Sequence, residues 1–194
     1  EHEVPWAVLT ERLASLDEIQ AEVWRQLEAA VGDNAHPWRT PVLATINGHL
    51  ADARTVVVRE VDARGRRLMI YTDERASKVA QLLSHPVGTL VMWSQPLGWQ
   101  LRCRVHLAIE MSGLAASSRW ARIKLSPAAQ DYLSPLPPGS VIEDPEPAPT
   151  HAAVARDYFS IITAQVLSLD WLELSEQGHR RARFDGSQGS WLQP

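Results

Sequence analysis

Cysteine, long apolar runs and recognisable metal-binding motifs are all scarce in this sequence. The single cysteine, Cys103, excludes a disulfide within one chain, and thiolate zinc and iron–sulfur sites need more sulfur ligands. The apolar runs fall far short of the ~18 residues of a membrane-spanning helix. The seven histidines are scattered without a zinc-binding pattern, and no G-x-S-x-G nucleophile elbow occurs. We therefore predict no metal site and no serine hydrolase.

Basic charge is also in short supply. Lys and Arg together number 19 against 23 Asp and Glu, which gives a net charge of −4 and an isoelectric point near 6.0. A nucleic-acid-binding domain normally carries a basic excess, so we expect no nucleic-acid partner. The N-terminus lacks the basic and apolar stretches of a secretory signal, so we expect a cytoplasmic protein without a membrane segment.

The chain does contain enough apolar sequence for one core. Its 194 residues are 45% hydrophobic, which fits a single domain covering 1–194. Much of the proline is concentrated in 134–150. We interpret this stretch as a loop rather than a linker, because the sequence that follows is too short to fold alone.

An amphipathic helix is predicted near the N-terminus. Ser15 and Glu18 have the spacing of a capping box, in which each side chain bonds the other residue's backbone N–H. Apolar residues follow at helical spacing from Ile19 and Val23. The predicted helix covers 15–31.

The rest of the chain has mainly strand patterns. Residues 99–110 alternate most regularly, with Gln100, Arg102 and His106 on the polar face. Hairpins alternate with short helices along the chain, which predicts a mainly β protein with helices (α+β), built on an antiparallel barrel of about six strands. No glycine-rich turn follows a strand, so a Rossmann unit is not expected.

Basic, hydroxyl and amide side chains are concentrated at the predicted strand ends. A phosphate group needs Arg or Lys together with hydroxyl groups. A flavin ring needs backbone N–H groups, an amide and a nearby positive charge. The side chains that supply this mixture are Arg54, Arg59, Lys78, Gln100, Arg102, Arg183, Tyr71, Thr72 and Ser77.

These residues resemble motifs of the pyridoxamine 5′-phosphate oxidase family of FMN-binding split barrels. Residues 54–59 (RTVVVR) resemble the family's Arg-x-Val-Leu-Leu-Lys strand, and Tyr71-Thr72-Asp73 its Tyr-Thr-Asn. Ser77-Lys78 matches the end of its Ser-Arg-Lys turn, with Ser77 where the family has Arg. Gln100 falls at a flavin-contacting Gln, and Arg183-Phe184 resembles the C-terminal Arg-Phe. The similarity covers about 41–111 and 158–194.

The resemblance implies an FMN cofactor held between the subunits of a homodimer, on an antiparallel split β-barrel. It implies that the phosphate is held by Arg54, Lys78, Thr72 and Ser77. The flavin ring would lie against the 56–59 backbone and Gln100, near the positive charge of Arg183. The predicted cofactor-binding residues are Arg54, Thr55, Val56, Val57, Arg59, Tyr71, Thr72, Ser77, Lys78, Gln100 and Arg183.

The family's substrate contacts are less well matched. Arg59 replaces the lysine that grips the substrate, and the residues that bind substrate phosphate have no clean counterparts. Arg59, Lys124, His179 and Arg181 are the candidate substrate-binding residues. We therefore expect an FMN-dependent oxidoreductase acting on a small molecule, which the sequence does not name.

Other interpretations of the same residues stay open. The barrel could bind FMN, pyridoxal phosphate or haem without turnover, with His106 or His179 as a haem ligand. It could also use a deazaflavin. In a continuous strand Arg54 and Arg59 would point to opposite faces, so one of them could be a solvated strand residue.

Overall fold

The computed structural model describes residues 12–126, 129, 132, 134–144 and 158–194. Three α-helices, one 3-10 turn and nine strands lie in this part of the chain. The helices are α1 (Leu16–Gly32), α2 (Ser77–Ser84) and α3 (Leu114–Ile123), and the 3-10 turn is Pro37–Arg39. The strands are β1 (Val42–Asn47), β2 (Leu50–Thr55), β3 (Val58–Asp62), β4 (Arg67–Asp73), β5 (Val87–Ser94), β6 (Trp99–Glu110), β7 (Phe159–Glu173), β8 (Arg180–Asp185) and β9 (Gln188–Leu192).

All the strand pairs are antiparallel, in the order β2-β1-β5-β6-β7-β4-β3. Strand β8 pairs with β7 and β9 with β8. Among the described residues β2 and β3 do not pair with each other, so the barrel is split rather than closed. The predicted antiparallel split barrel with helices is therefore confirmed.

The longest strand, β7, organises the sheet. It pairs with β6 along most of its length. Its first half, 159–165, also pairs with β4, and its second half, 168–173, pairs with β8. The two halves of β7 thus border two different regions of the molecule, and both regions contain predicted site residues.

A tryptophan cluster fills the core beneath the sheet. Trp38, Trp99 and Trp171 are almost completely buried. The ring centroids of Trp38 and Trp99 lie 6.4 Å apart, and those of Trp99 and Trp171 lie 5.2 Å apart in an edge-to-face arrangement. Cys103 is buried in the same core, and burial raises its pKa to about 12, which makes it an inert apolar residue.

The N-terminal helix begins where it was predicted to begin. The Ser15 side chain accepts from the Glu18 N–H, and the Glu18 carboxylate accepts from the Ser15 N–H. The apolar stripe of α1, which includes Ile19 and Val23, is fully buried. The core it joins extends to Phe184 of β8.

The strand count is corrected from about six to nine. The sequence 54–61 reads as one β-branched strand, but the structure divides it at Val56 and Val57. The Val56 N–H still donates to the Pro41 carbonyl in register with β1, whereas Val58 pairs with Ile70 of β4, so the chain changes its strand partner there. Strand β9 lacks an alternating pattern and was also missed. In the predicted loop, 134–144 contain no helix or strand, and 145–150 lie outside the described residues.

A second, smaller apolar cluster lies on the outside of the barrel. Phe159 and Ile161 of β7 pack there against Ala116 of α3 and against Tyr132. The Tyr132 and Phe159 ring centroids lie 5.3 Å apart, edge to face. This cluster attaches α3 and the chain that follows it to the first half of β7.

Candidate functional site

A cavity of about 210 Å³ lies where β2 ends and β3 begins, beside the end of β4 and the start of α2. We call it the β4 cavity. It brings together seven of the eleven predicted cofactor-binding residues. Its lining is Thr55, Val56, Val57, Arg59, Tyr71, Thr72, Asp73, Ala76, Lys78, Tyr132 and Pro138.

The break between β2 and β3 supplies one wall of the β4 cavity. Val58 is buried in the core, whereas Thr55, Val57 and Arg59 remain partly or fully exposed at the cavity. Alternation along an extended chain sends these three side chains away from the core. The chain therefore presents a hydroxyl and a guanidinium on the same side.

Lys78 supplies a cation to the opposite wall. Its Nζ donates to Thr72 Oγ1 at 3.0 Å. Burial, helped by the positive charge of Arg54, lowers the pKa of Lys78, while Asp73 opposes the shift. Ala76 at the start of α2 has no side chain able to cap the helix. A desolvated ammonium beside a hydroxyl and a helix start favours an anionic ligand.

The Tyr71 side chain lines the β4 cavity, and its hydroxyl is held by a polar group outside the lining. Its hydroxyl donates to Glu60, which also accepts two hydrogen bonds from Arg119 of α3. The Arg119 hydrogen bonds, together with that of Tyr71, hold the pKa of Glu60 below its usual range despite burial. Burial and the Glu60 carboxylate raise the pKa of Tyr71. Sequence reasoning missed Glu60 and Arg119.

Arg54 lies outside the β4 cavity, with its guanidinium committed to other protein groups. It donates to the Leu43 carbonyl, to Thr45 Oγ1 and to Gln81 Oε1, at 2.5 to 3.2 Å. It also forms a 2.7 Å ion pair with Asp52. Arg54 therefore acts on the β4 cavity through its charge, which lowers the pKa of Lys78.

Two more predicted cofactor residues lie elsewhere. Ser77 faces a separate 400 Å³ depression between α2 and the β1–β2 turn, which it shares with Gln81 and His85. Gln100 lies on β6, opposite Trp93 of β5 and Leu172 of β7. Neither side chain lines the β4 cavity.

The two remaining predicted arginines, Arg181 and Arg183, lie beside the second half of β7, in a region that we call the arginine end. A depression of about 220 Å³ there is lined by Arg102, Arg104, Ser168, Asp170, Arg181, Arg183 and Leu192. Arg181 donates to both carboxylate oxygens of Asp170, and Arg183 pairs with Asp185. The predicted residues Arg181 and Arg183 thus lie together.

The β4 cavity and the arginine end are far apart in one chain. Thr72 pairs with Ser160 at the start of β7, and Arg183 pairs with Asp170. At ~3.3 Å per residue these β7 positions lie roughly 30 Å apart. One small ligand in one subunit cannot touch both regions.

The other two predicted substrate residues lie in neither region. Lys124 is exposed at the end of α3. His179 is exposed, and its Nδ1 accepts from the Ser175 N–H at 3.2 Å, which closes the turn before β8. Within the described ranges, no three His, Cys, Asp or Glu side chains are grouped to hold a metal, and no helix is long and apolar enough to cross a membrane.

Comparison with known proteins identifies relatives of this fold. Residues 21–110 match the family described as pyridoxamine 5′-phosphate oxidase, FMN-binding domain. No curated protein sequence matches the chain. A pyridoxamine 5′-phosphate oxidase-related, FMN-binding protein from Nostoc punctiforme PCC 73102 is 21% identical, with 95% of this chain and 100% of that chain covered and a TM-score of 0.68.

Two further solved structures share the fold. PhzG from Burkholderia lata 383, solved with tetrahydrophenazine-1-carboxylic acid, is 14% identical over 95% of this chain and 98% of its own, with a TM-score of 0.72. A haem-binding protein from Mycobacterium smegmatis is 15% identical over 90% of this chain and 59% of its own, with a TM-score of 0.53. The predicted resemblance is therefore confirmed for residues 21–110, which match the pyridoxamine 5′-phosphate oxidase FMN-binding domain family, and the chain as a whole shares the split-barrel fold of these structures.

Proposed function

We propose that this chain binds FMN and is a cytoplasmic oxidoreductase acting on a small molecule. The observation that carries the proposal is the β4 cavity, which gathers seven of the eleven residues predicted to bind the cofactor. The match of 21–110 to an FMN-binding domain family supports the same cofactor.

The chemistry of the β4 cavity fits the phosphate end of FMN. Lys78 and Arg59 supply positive charge, and Thr72 and Thr55 supply hydroxyl groups. A phosphate monoester dianion would restore the charge stabilisation that Lys78 loses through burial. Arg54 would act on the site only through its positive charge, because its guanidinium is already bound to protein acceptors.

The same geometry supports the proposal of a homodimer with FMN at the subunit interface. The β4 cavity, about 210 Å³, is smaller than the ~300–1,000 Å³ of typical small-molecule sites. The arginine end lies too far away in the same chain to complete it, but a second copy could bring its own Arg183 to the flavin. An apolar depression rimmed by the exposed side chains Ile46, Val87 and Leu167 offers a surface for that contact.

Bound FMN would supply the electron-transfer chemistry, so the protein needs to bind and orient rather than react. Lys78, Thr72 and the 55–57 segment would fix the phosphate. Positive charge from Arg183 of a second copy would favour the reduced flavin. Arg59, Lys124, His179 and Arg181 remain the proposed substrate contacts, and of these Arg59 alone lines the β4 cavity.

The test is an absorption spectrum of the purified protein with a mass spectrum of the ligand released by heat. We expect flavin bands and the mass of FMN, with one FMN per subunit in a dimer by light scattering. A deazaflavin mass would replace the cofactor assignment. A colourless protein that takes up no added FMN would refute the proposal.

Cofactor binding without turnover is the second candidate. A solved structure with this fold is a haem-binding protein, so the fold alone does not require catalysis. Histidine is absent from the described lining of the β4 cavity, which favours a phosphorylated ligand over haem there. A Soret band would support haem binding. Bound FMN that dithionite reduces but that nicotinamides do not reduce would support storage without turnover.

A further inference from the structure

Arg75, which no sequence motif singled out, connects three separate segments beside the β4 cavity. Its guanidinium pairs with both oxygens of Asp73 at the end of β4. It stacks on the Tyr158 ring with 3.5 Å between the guanidinium carbon and the ring centroid. It also donates to the carbonyls of Ser134 and Pro135 at 2.9 and 3.3 Å. The Arg75 side chain is 15% exposed and that of Asp73 is 4% exposed.

The segment that Arg75 holds, residues 134–138, is locally ordered, and we call it the strap. The Leu136 N–H donates to Ser134 Oγ, and the Ser140 N–H donates to the Pro137 carbonyl. Gly139 makes that turn possible with a φ of +87°. Just before the strap, Tyr132 is buried against Phe159. The strap is therefore fixed at two points.

Pro138 of the strap belongs to the lining of the β4 cavity, next to Tyr132 from just before the strap, so the strap contributes to one wall of the cavity. From the turn after β4, Arg75 makes charge-assisted hydrogen bonds to two strap carbonyls, those of Ser134 and Pro135. Arg75 also neutralises Asp73, a carboxylate that lines the β4 cavity and would repel a phosphate.

We propose that Arg75 is a positioning residue that latches the strap over the phosphate end of the FMN site, and thereby slows release of the cofactor. This inference rests on the proposed function, since it concerns the same cavity. Arg75 does not line the cavity, so it acts through the strap and through Asp73 rather than by touching the ligand.

The test compares Arg75→Ala with Arg67→Ala. Arg67 also forms an ion pair, with Asp62, but at an exposed turn. FMN release is followed by the rise of free flavin fluorescence, and solvent access by iodide quenching of the bound flavin. We expect release about tenfold faster in Arg75→Ala, the effect of losing charged hydrogen bonds worth ~1.4 kcal/mol. We also expect stronger quenching, with Arg67→Ala unchanged.

The double variant Asp73→Asn/Arg75→Ala separates the latch from charge neutralisation. Fast release that persists in the double variant supports the latch, and slow release restored there would show that Arg75 only neutralises Asp73. Hydrogen exchange of the strap in FMN-free protein tests the latch without ligand, with faster exchange expected in Arg75→Ala. Equal exchange in Arg75→Ala and Arg67→Ala would overturn the latch. A failure of unmodified protein to bind FMN would overturn only the proposed function.

Discussion

The two halves of β7 border regions that use positive charge in opposite ways. In the β4 cavity, Lys78 is desolvated and donates to the neutral hydroxyl of Thr72, and burial lowers the pKa of this lysine. At the arginine end, Arg181 and Arg183 are paired with carboxylates, and the Arg183 side chain is 50% exposed. A desolvated cation beside a neutral group gains most from an incoming anion. Arg181 and Arg183 at the arginine end gain less, because each already has a carboxylate partner within the chain.

The number of basic residues in a depression does not by itself predict that it binds an anion. Four arginines line the depression at the arginine end, whereas the β4 cavity has one arginine and one lysine. What distinguishes the β4 cavity is the partner of its desolvated cation, because Lys78 donates to a neutral hydroxyl whereas Arg181 and Arg183 pair with carboxylates. Asp73 is the one described carboxylate in its lining, and Arg75 neutralises it.

Among variants that compare the two regions, Lys78→Ala is expected to have the largest effect on FMN binding. Loss of a charged hydrogen-bond donor to phosphate should weaken FMN binding about a hundredfold, measured by fluorescence titration. The control is Lys124→Ala, which removes the same charge from an exposed position on α3 and should leave the Kd unchanged. Equal Kd values for the two variants would contradict the contrast.

Glu60→Gln is expected to have the next largest effect, on the support of the β4 cavity. The variant loses the charged acceptor of Arg119 and Tyr71, so the free energy of unfolding should fall by about 1–2 kcal/mol in urea titrations at pH 7. The matched control at the arginine end is Asp185→Asn, whose exposed ion pair should contribute little. A larger loss in Asp185→Asn would reverse the ranking of the two regions.

Acid stability provides a test that is independent of both regions. Burial lowers the pKa of His36 from 6.5 to about 4. Between these values the unfolded chain takes up a proton that the folded chain does not. The stability that neutral His36 contributes is therefore fully present above pH 6.5 and is lost as the pH falls towards 4. From pH 6 to 5 we expect a loss of about 1 kcal/mol in the free energy of unfolding. His36→Asn should remove this loss, and the exposed His49→Asn should not.

The smallest effect is expected at the arginine end. If Arg183 reaches the flavin of a second copy, Arg183→Ala should weaken FMN binding about threefold, because its charge is partly neutralised by Asp185 and exposed to solvent. The effect should vanish for a phosphate-only probe such as inorganic phosphate. An equal loss for both ligands would place Arg183 at the phosphate and would remove the distinction between the regions.

The sequence predicted the elements whose signals are local. The bounds of β6, 99–110, were predicted correctly, because strict alternation of apolar and polar residues defines this strand. The break at Val56 and Val57 was missed because both sides of it are β-branched, and hydropathy carries no information about a change in backbone direction.

The candidate site was only partly predictable. The residues on contiguous strands and at the start of α2 were found because motif spacing fixes them. Tyr132 and Pro138 reach the β4 cavity by long-range packing, which leaves no periodic signal. Arg54 matched a motif, but Asp52, Thr45 and Gln81 face it from three different elements and bind its guanidinium.

The position of β7 in the chain also has a consequence during synthesis on the ribosome. Arg67 of β4 pairs with Gln165, and Glu110 of β6 pairs with Ile161, so neither β4 nor β6 gains this neighbour until β7 has been translated. Until then each presents an open edge of unpaired N–H and C=O groups, which favours pairing between chains. A polypeptide truncated before residue 159 would therefore be prone to aggregation, and chaperones would be most needed in that interval.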